Sequence, residues 1–393
     1  MKILTVLTYY RPHTSGLTIY VERMAKALAE RGHEVTVLTS QFDPDLPRRE
    51  MRDGVKIVRA PVLFRVSKGV IMPTLGYLAW KLVLENDVIH LHLPQFDAAG
   101  VELRGRLLRK PTILTYHCDL QLPKGWFNRF VNQVVHVMNH LAGLLAHRIV
   151  AYTEDFASHS PFLRRFEDKV EVILPPVELP EATDEEVAAF AEEHNPEGKS
   201  PVIGMATRFA SEKGVEVLLQ ALPKILDQYP NALVLYAGQY RDVMGEEEYF
   251  DRLYPQIQAY QSRGQWKFLG VLDPRQMTMF YPLLDVLVVP SLNSTETFGL
   301  VQIEAMICGT PTVASNLPGV RQPPRMTGMG EVAAIGDAVS LADGILKVLD
   351  HPQEYQGDPE EIAQRFDPQA NAAAYERLYQ ELQEALKRKS AGK

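Results

Sequence analysis

Short apolar, β-branched runs alternate with helix-period stretches along the first third of the chain. "KILTVLT" is followed by a helical pattern over 18–31, then by "HEVTVLTS", "VIHLHL", "PTILTY" and "HRIVAYT". Such alternation predicts a parallel sheet covered by helices. In the first helix Val21, Met24, Ala25 and Leu28 repeat at helical spacing while Glu22, Arg23, Lys26 and Glu30 point away, and Gly32 stands where a C-terminal cap belongs. The rhythm returns in the second half with "VIGMAT", a helix over 215–228, "ALVLYAG", "KFLGV", "DVLVVPS", a helix containing Glu304, and "TPTVAS". Between the two halves, the proline-rich and acidic stretch "PPVELPEATDEEVAAFAEEHNPEGKSP" reads as a linker. The expected organisation is an N-terminal domain over 1–178, a linker over 179–200, a C-terminal domain over 201–365, and an amphipathic helix within 366–393 that packs back toward the N-terminal domain.

Composition narrows the function. A chain of 393 residues exceeds the usual size of one core, which supports two domains. Its net charge of -8 argues against a general nucleic-acid binder. Two cysteines, Cys118 and Cys308, show neither a disulfide framework nor zinc spacing, and a reducing cytoplasm is expected. The apolar start of "MKILTVLTYYRPH" is too short for a signal peptide, and "FVNQVVHVMNHLAGLLAH" carries too many polar residues to span a bilayer.

Candidate chemistry falls in loops after strands, where open α/β sheets bind ligands. "RFASEKG" places Arg208 and Lys213 in a strand-to-helix loop, where two cations and a helix N-terminus can converge on a diphosphate. In "STETFGLVQIEAMICGTPTVAS", a helix from Gly299 to Ile307 would bury Leu300, Ile303 and Ile307, with Glu304 on or beside that stripe. A carboxylate there needs a partner, and two vicinal ribose hydroxyls would serve. Glu296 is expected close to the N–H groups of the first turn. Taken alone, these residues read equally well as solvated charges, a favourable charge at a helix start and a structural ion pair.

Together with "FLG" and the N-terminal "RPHTSGLTIYVERMAKALAERGHEVTVLTS", these segments resemble the retaining nucleotide-sugar glycosyltransferases of the GT-B fold, family four. The resemblance covers nearly the whole chain. It implies an α/β fold of two Rossmann-like doubly wound domains facing across a cleft, the N-terminal one binding the acceptor and the C-terminal one the donor. By it, Arg208 and Lys213 hold the donor diphosphate, Glu304 the ribose, and Glu296 the transferred sugar. Phe298, Gly299 and Leu300 would offer backbone N–H groups, and Leu269, Val271 and Leu272 would meet the nucleobase. Gly16 lies where relatives let the donor or acceptor approach the backbone, although Ser15-Gly16 stands here in place of the two glycines common among them. His117 in "LTYHCDL" matches a histidine near the donor sugar. His117, Glu296, Arg208 and Lys213 are therefore the candidate catalytic residues, and none is assigned as a nucleophile. His90 and His92 are read as facing opposite sides of their strand and are left out.

The implied activity is transfer of a hexose from a UDP- or GDP-sugar, with retained anomeric configuration and without metal or cofactor. The acceptor would be lipid-linked, a polysaccharide precursor or a small molecule. Asp43-x-Asp45 resembles the metal motif of a different glycosyltransferase fold but reads as a turn. No G-x-G-x-x-G follows the first strand, which counts against a dinucleotide dehydrogenase. A noncatalytic sugar-nucleotide-binding subunit and an epimerase of the same fold remain alternatives. Finally, Trp126, Phe127, Phe130, Val134, Val137 and Leu141 recur at helical spacing with Lys124 and Arg129 near the start, which suits either a core helix or an interfacial one at the inner face of a membrane.

Overall fold

The computed structural model describes residues 1–66, 69–121 and 125–391, and the chain divides into two units, Met1–Pro176 with Phe366–Lys393, and Val177–Arg365. Unit 1 begins with β1 (Lys2–Val6), α1 (Gly16–Glu30) and β2 (Glu34–Gln41), followed by β3 (Arg49–Arg52), β4 (Val55–Pro61), β5 (Phe64–Val66) and β6 (Gly69–Ile71). The chain continues through α2 (Leu75–Glu85), β7 (Val88–Leu93), α3 (Ala98–Leu107), β8 (Thr112–Tyr116), α4 (Trp126–Leu145), β9 (Arg148–Ala151), α5 (Glu154–His159) and β10 (Val170–Val172). Eight strands form one sheet in the order β10-β9-β8-β7-β1-β2-β4-β3, parallel except at the β3 edge. Strands β1, β7 and β8 are almost wholly buried, as strands covered by helices on both faces must be. Ser15 caps α1 by accepting from the Thr18 N–H at 3.2 Å.

Unit 2 holds α6 (Asp184–His194), β11 (Val202–Ala206), α7 (Val215–Gln228), β12 (Leu233–Ala237), α8 (Glu247–Gln261), β13 (Trp266–Gly270), α9 (Pro274–Phe280) and β14 (Val286–Val289). It closes with α10 (Leu300–Ile307), β15 (Thr312–Ser315), α11 (Gln322–Thr327), β16 (Gly330–Ala333), α12 (Ala338–Asp350) and α13 (Pro359–Arg365). Its sheet order is β13-β12-β11-β14-β15-β16, parallel throughout. This is the doubly wound order, with the direction of winding reversing between β11 and β14. Helix α7 shows why the pattern was readable: Val215, Leu218, Leu222 and Ile225 recur at helical spacing and are buried against the sheet.

Two features bear on the expected organisation. Residues 179–200, read as a linker, contain α6 with a capping box between Thr183 and Glu186, and they group with unit 2. The C-terminal helix (Pro368–Ala391) groups with unit 1, where its Tyr375 hydroxyl lies 2.7 Å from those of both Tyr20 and Thr115.

Candidate active site

The site in unit 2 is assembled by the reversal of winding. Because β11 and β14 are adjacent and parallel, the loops that follow them leave the same edge of the sheet. A backbone hydrogen bond of 2.9 Å from the Leu292 N–H to the Glu212 carbonyl joins those loops. Gly214 permits the approach: its φ is +73°, and a Cβ there would lie 2.0 Å from the Pro290 carbonyl oxygen. The Ser211 N–H donates to the Glu246 carboxylate at 2.9 Å, fixing the 3-10 turn Ser211–Lys213 from a third loop.

Lys213 and Glu296, 83 residues apart in sequence, meet as a result: Nζ donates to Oε2 at 2.6 Å, with both side chains mostly buried. An ammonium has two further N–H donors, so this arrangement can hold a carboxylate and phosphate oxygens together. Arg208 pairs with Glu212 in the same loop and is the more exposed cation. No side chain caps α10, and the Glu296 carboxylate accepts from the lysine across the loop pair.

Helix α10 begins at Leu300 with Gly299, φ +77°, immediately before it and no side-chain cap. Buried Gln302 donates from Nε2 to the Phe298 carbonyl at 2.7 Å and to the Val320 carbonyl at 3.0 Å, while Thr312 donates to its Oε1 at 3.2 Å. A Cβ on Gly299 would lie 2.8 Å from that Nε2, so glycine here accommodates the tether as well as the backbone turn. Phe298 is buried in the core, and its contribution to a ligand would come through its backbone. The buried residues of α10 run from Gln302 to Met306, whereas Leu300 and Ile307 are only partly covered. The expected stripe is broader because α10 packs against α11, α13, β14 and β15 together.

Glu304 is 7% exposed and accepts a hydrogen bond of 2.7 Å from the Tyr281 hydroxyl. Part of the buried carboxylate's need is thus met within the protein. Leu269 is the last residue but one of β13, at the same end of the sheet; Val271 is exposed and Leu272 half-buried just beyond the strand. The structure therefore brings Arg208, Lys213, Glu296, Phe298, Gly299, Leu300 and Glu304 onto the loops and helix at one reversal of winding. Sequence reasoning missed Glu246, Tyr281 and Gln302. Of these, Gln302 had a signal, standing three residues after Gly299 on the predicted helix.

In unit 1, Gly16 opens α1, and a Cβ there would meet nothing within 4 Å, so the chain itself does not require glycine at this position. His117 follows β8. Its Nε2 is 2.9 Å from His92 Nδ1, and its Nδ1 contacts the Tyr152 hydroxyl. Burial, with His90 nearby, pushes the His117 imidazole down to about 3, so it is neutral at physiological pH. His90 and His92 share one face of β7, not opposite faces. Two residues apart on a strand, they point the same way, and their rings are 4.4 Å apart. His90 contacts the Tyr379 hydroxyl at 2.8 Å and the Thr115 hydroxyl at 2.7 Å, extending a buried histidine–tyrosine network. The Asp43 carboxylate accepts from the Asp45 N–H at 3.0 Å, as a turn residue does.

The family model for glycosyl transferases group 1 matches residues 187–366, and that for glycosyltransferase family 4 matches residues 14–180. The chain belongs to the family-four glycosyltransferases. This glycosyltransferase is 29% identical over 343 residues to an uncharacterised glycosyltransferase of Methanocaldococcus jannaschii, covering 82% of each chain. It is 26% identical to the phosphatidyl-myo-inositol mannosyltransferase of Mycolicibacterium smegmatis, over 97% of this chain and 94% of that one. Among solved structures, Anabaena HepE in complex with UDP-glucose superimposes with a TM-score of 0.75 at 20% identity, over 98% of this glycosyltransferase and 99% of that chain. The fold is GT-B.

Proposed function

We propose that this glycosyltransferase moves a hexose from a UDP- or GDP-sugar to a lipid-linked or carbohydrate acceptor, retaining the anomeric configuration and needing no metal. The observation that carries this reading is the Lys213–Glu296 pair of 2.6 Å at the reversal of winding, with Glu304 on the helix that follows. Lys213 and Arg208 would neutralise the diphosphate, and α10 would direct its first-turn N–H groups at the same anion. Glu304 would accept from the ribose hydroxyls and Glu296 from a hydroxyl of the transferred sugar. Leu269, Val271 and Leu272 would line the base, and Gly16 would let a substrate approach the backbone at the start of α1.

In the reaction, the bond from the anomeric carbon to the diphosphate breaks and a bond to the acceptor oxygen forms on the same face. The acceptor proton passes to the departing diphosphate. The protein's part is positioning and stabilising charge. His117, held neutral by burial, takes part as a hydrogen-bonding group rather than as an acid. A solved relative of the fold contains UDP-glucose, which supports a nucleoside diphosphate hexose as donor.

Peripheral membrane contact through α4 belongs to the same proposal. Trp126 is 83% and Phe130 63% exposed, and Val137, Leu141 and Leu144 continue the outward stripe. Val134 is half-buried, while Lys124 and the Phe127 side chain lie outside the described residues. No described helix is long and apolar enough to cross a membrane.

The test is incubation with a panel of radiolabelled UDP- and GDP-hexoses, with and without lipid extract. Turnover of one donor, enhanced by the extract, is expected; binding of a donor without any turnover would instead indicate a noncatalytic subunit.

A further inference from the structure

Away from the donor residues, a cavity of about 240 Å³ lies among α2, α3 and α4 of unit 1. Leu75, Ala79, Phe96 and Met138 make much of its wall apolar, and Asp97 and Arg104 supply its two charges. Among the described residues neither charge is held in an ion pair. Among the described residues Arg104 meets no carboxylate: Nη1 donates to the Gly100 carbonyl at 2.5 Å, and the buried Nε has no hydrogen-bond partner. The Asp97 carboxylate, at the start of α3, accepts no cap hydrogen bond. Two glycines make room for the guanidinium, since a Cβ on Gly76 or Gly100 would lie 3.1 or 3.3 Å from its Nη atoms. A half-covered cation without a counter-ion is costly to keep unless an anion visits it.

The surroundings identify that anion. Helices α2, α3 and α4 pack side by side and expose Tyr77, Trp80, Leu103, Trp126, Phe130 and Leu141. In a chain of net charge -8, these helices, the α3 cap and the turn after α3 carry Lys81, Arg104, Arg106, Arg109, Lys110 and Arg129 against Glu85, Asp97 and the buried Glu102. An apolar layer with surplus positive charge complements an anionic lipid surface.

We propose that the cavity is a headgroup site for an anionic, hydroxylated membrane lipid: its phosphate meets Arg104, a headgroup hydroxyl meets Asp97, and its chains lie on the exposed apolar side chains of α2–α4. The inference rests on the membrane contact proposed above and deepens it by naming what is recognised. Burial pushes Asp97 up to about 6, so at neutrality it is still mostly ionised and accepts from a headgroup hydroxyl, while below 6 its repulsion toward a phosphate fades.

The experiment is cosedimentation of the full-length protein with vesicles of phosphatidylcholine alone or mixed with phosphatidylglycerol, beside calorimetric titration with soluble glycerol phosphate. Wild type should prefer the mixed vesicles. Arg104→Gln should lose that preference by roughly tenfold, Arg104→Lys should restore part of it, and nucleoside diphosphate binding should be unchanged in both. Trp126→Ser with Phe130→Ser should weaken binding to both kinds of vesicle. If the α4 variant loses vesicle binding while Arg104→Gln keeps the wild-type preference, membrane contact stands and the headgroup site is overturned. If wild type binds no vesicles, both readings fall. Equal affinity for soluble glycerol phosphate would make this a small-anion site and overturn the lipid assignment.

Discussion

Replacing Glu304 with glutamine isolates the contact assigned to the ribose. The side chain is 7% exposed and already accepts from Tyr281 at 2.7 Å. Glutamine keeps the shape and a carbonyl oxygen that can still accept that hydrogen bond, so the fold should survive with little change in its unfolding midpoint. What disappears is the charge offered to the ribose hydroxyls. A hydrogen bond to a charged group contributes about 1.5–3 kcal/mol, which corresponds to a roughly ten- to hundredfold loss of affinity. Since the ribose contact is alike in ground and transition states, donor and free nucleoside diphosphate should weaken together while kcat stays nearly constant. Isothermal titration with UDP and GDP, beside steady-state rates, measures both. Unchanged nucleotide affinity in a folded Glu304→Gln protein would refute the assignment, as would a fall in kcat with affinity preserved.

Glu296→Gln should do the reverse, lowering kcat while leaving nucleoside diphosphate affinity nearly intact, because its proposed partner is the sugar on which charge develops; equal losses in both variants would erase the division of labour. Transfer should persist in excess EDTA, and activity that is lost and then restored by magnesium or manganese would contradict charge neutralisation by Lys213 and Arg208. The first-formed product should keep the donor's anomeric configuration by proton NMR, and inversion would overturn the same-face substitution. Burial lowers His90 to about 3 from an ordinary value of 6.5, so its contribution to stability is complete above 6.5 and is lost as pH falls toward 3. Chemical denaturation at several pH values should therefore show a shallower acid-side loss in His90→Gln than in wild type, whereas parallel profiles would mean that His90 is not held neutral by burial.

The two doubly wound units were legible because their strands and helices announce themselves by period, as in α7 and in α10, whose expected and observed spans differ by one residue. The pairing of Lys213 with Glu296 was not. It depends on β11 and β14 being neighbours, which is a property of sheet order and not of local sequence. For the same reason the helix N–H groups, near along the chain, were the surroundings expected for Glu296, and its lysine partner across the loop pair was not foreseen. The acidic, proline-rich composition of 179–200 concealed α6, although Thr183 and Glu186 spelled out its capping box. The hairpin of β3 and β4 also had a signal in Asp53-Gly54, both with positive φ as a tight turn requires. The histidine network could be read only in part. The i, i+2 spacing of His90 and His92 puts them on one face, but the tyrosine partner of His90, Tyr379, comes from the far end of the chain.

The most direct test is a crystal structure with a nonhydrolysable UDP- or GDP-hexose analogue. The diphosphate should lie within hydrogen-bonding distance of Lys213 Nζ and the Arg208 guanidinium, the ribose hydroxyls on the Glu304 carboxylate, and the hexose against Glu296. A nucleotide bound elsewhere, or one whose diphosphate contacts neither cation, would contradict a donor site at the junction of β11 and β14.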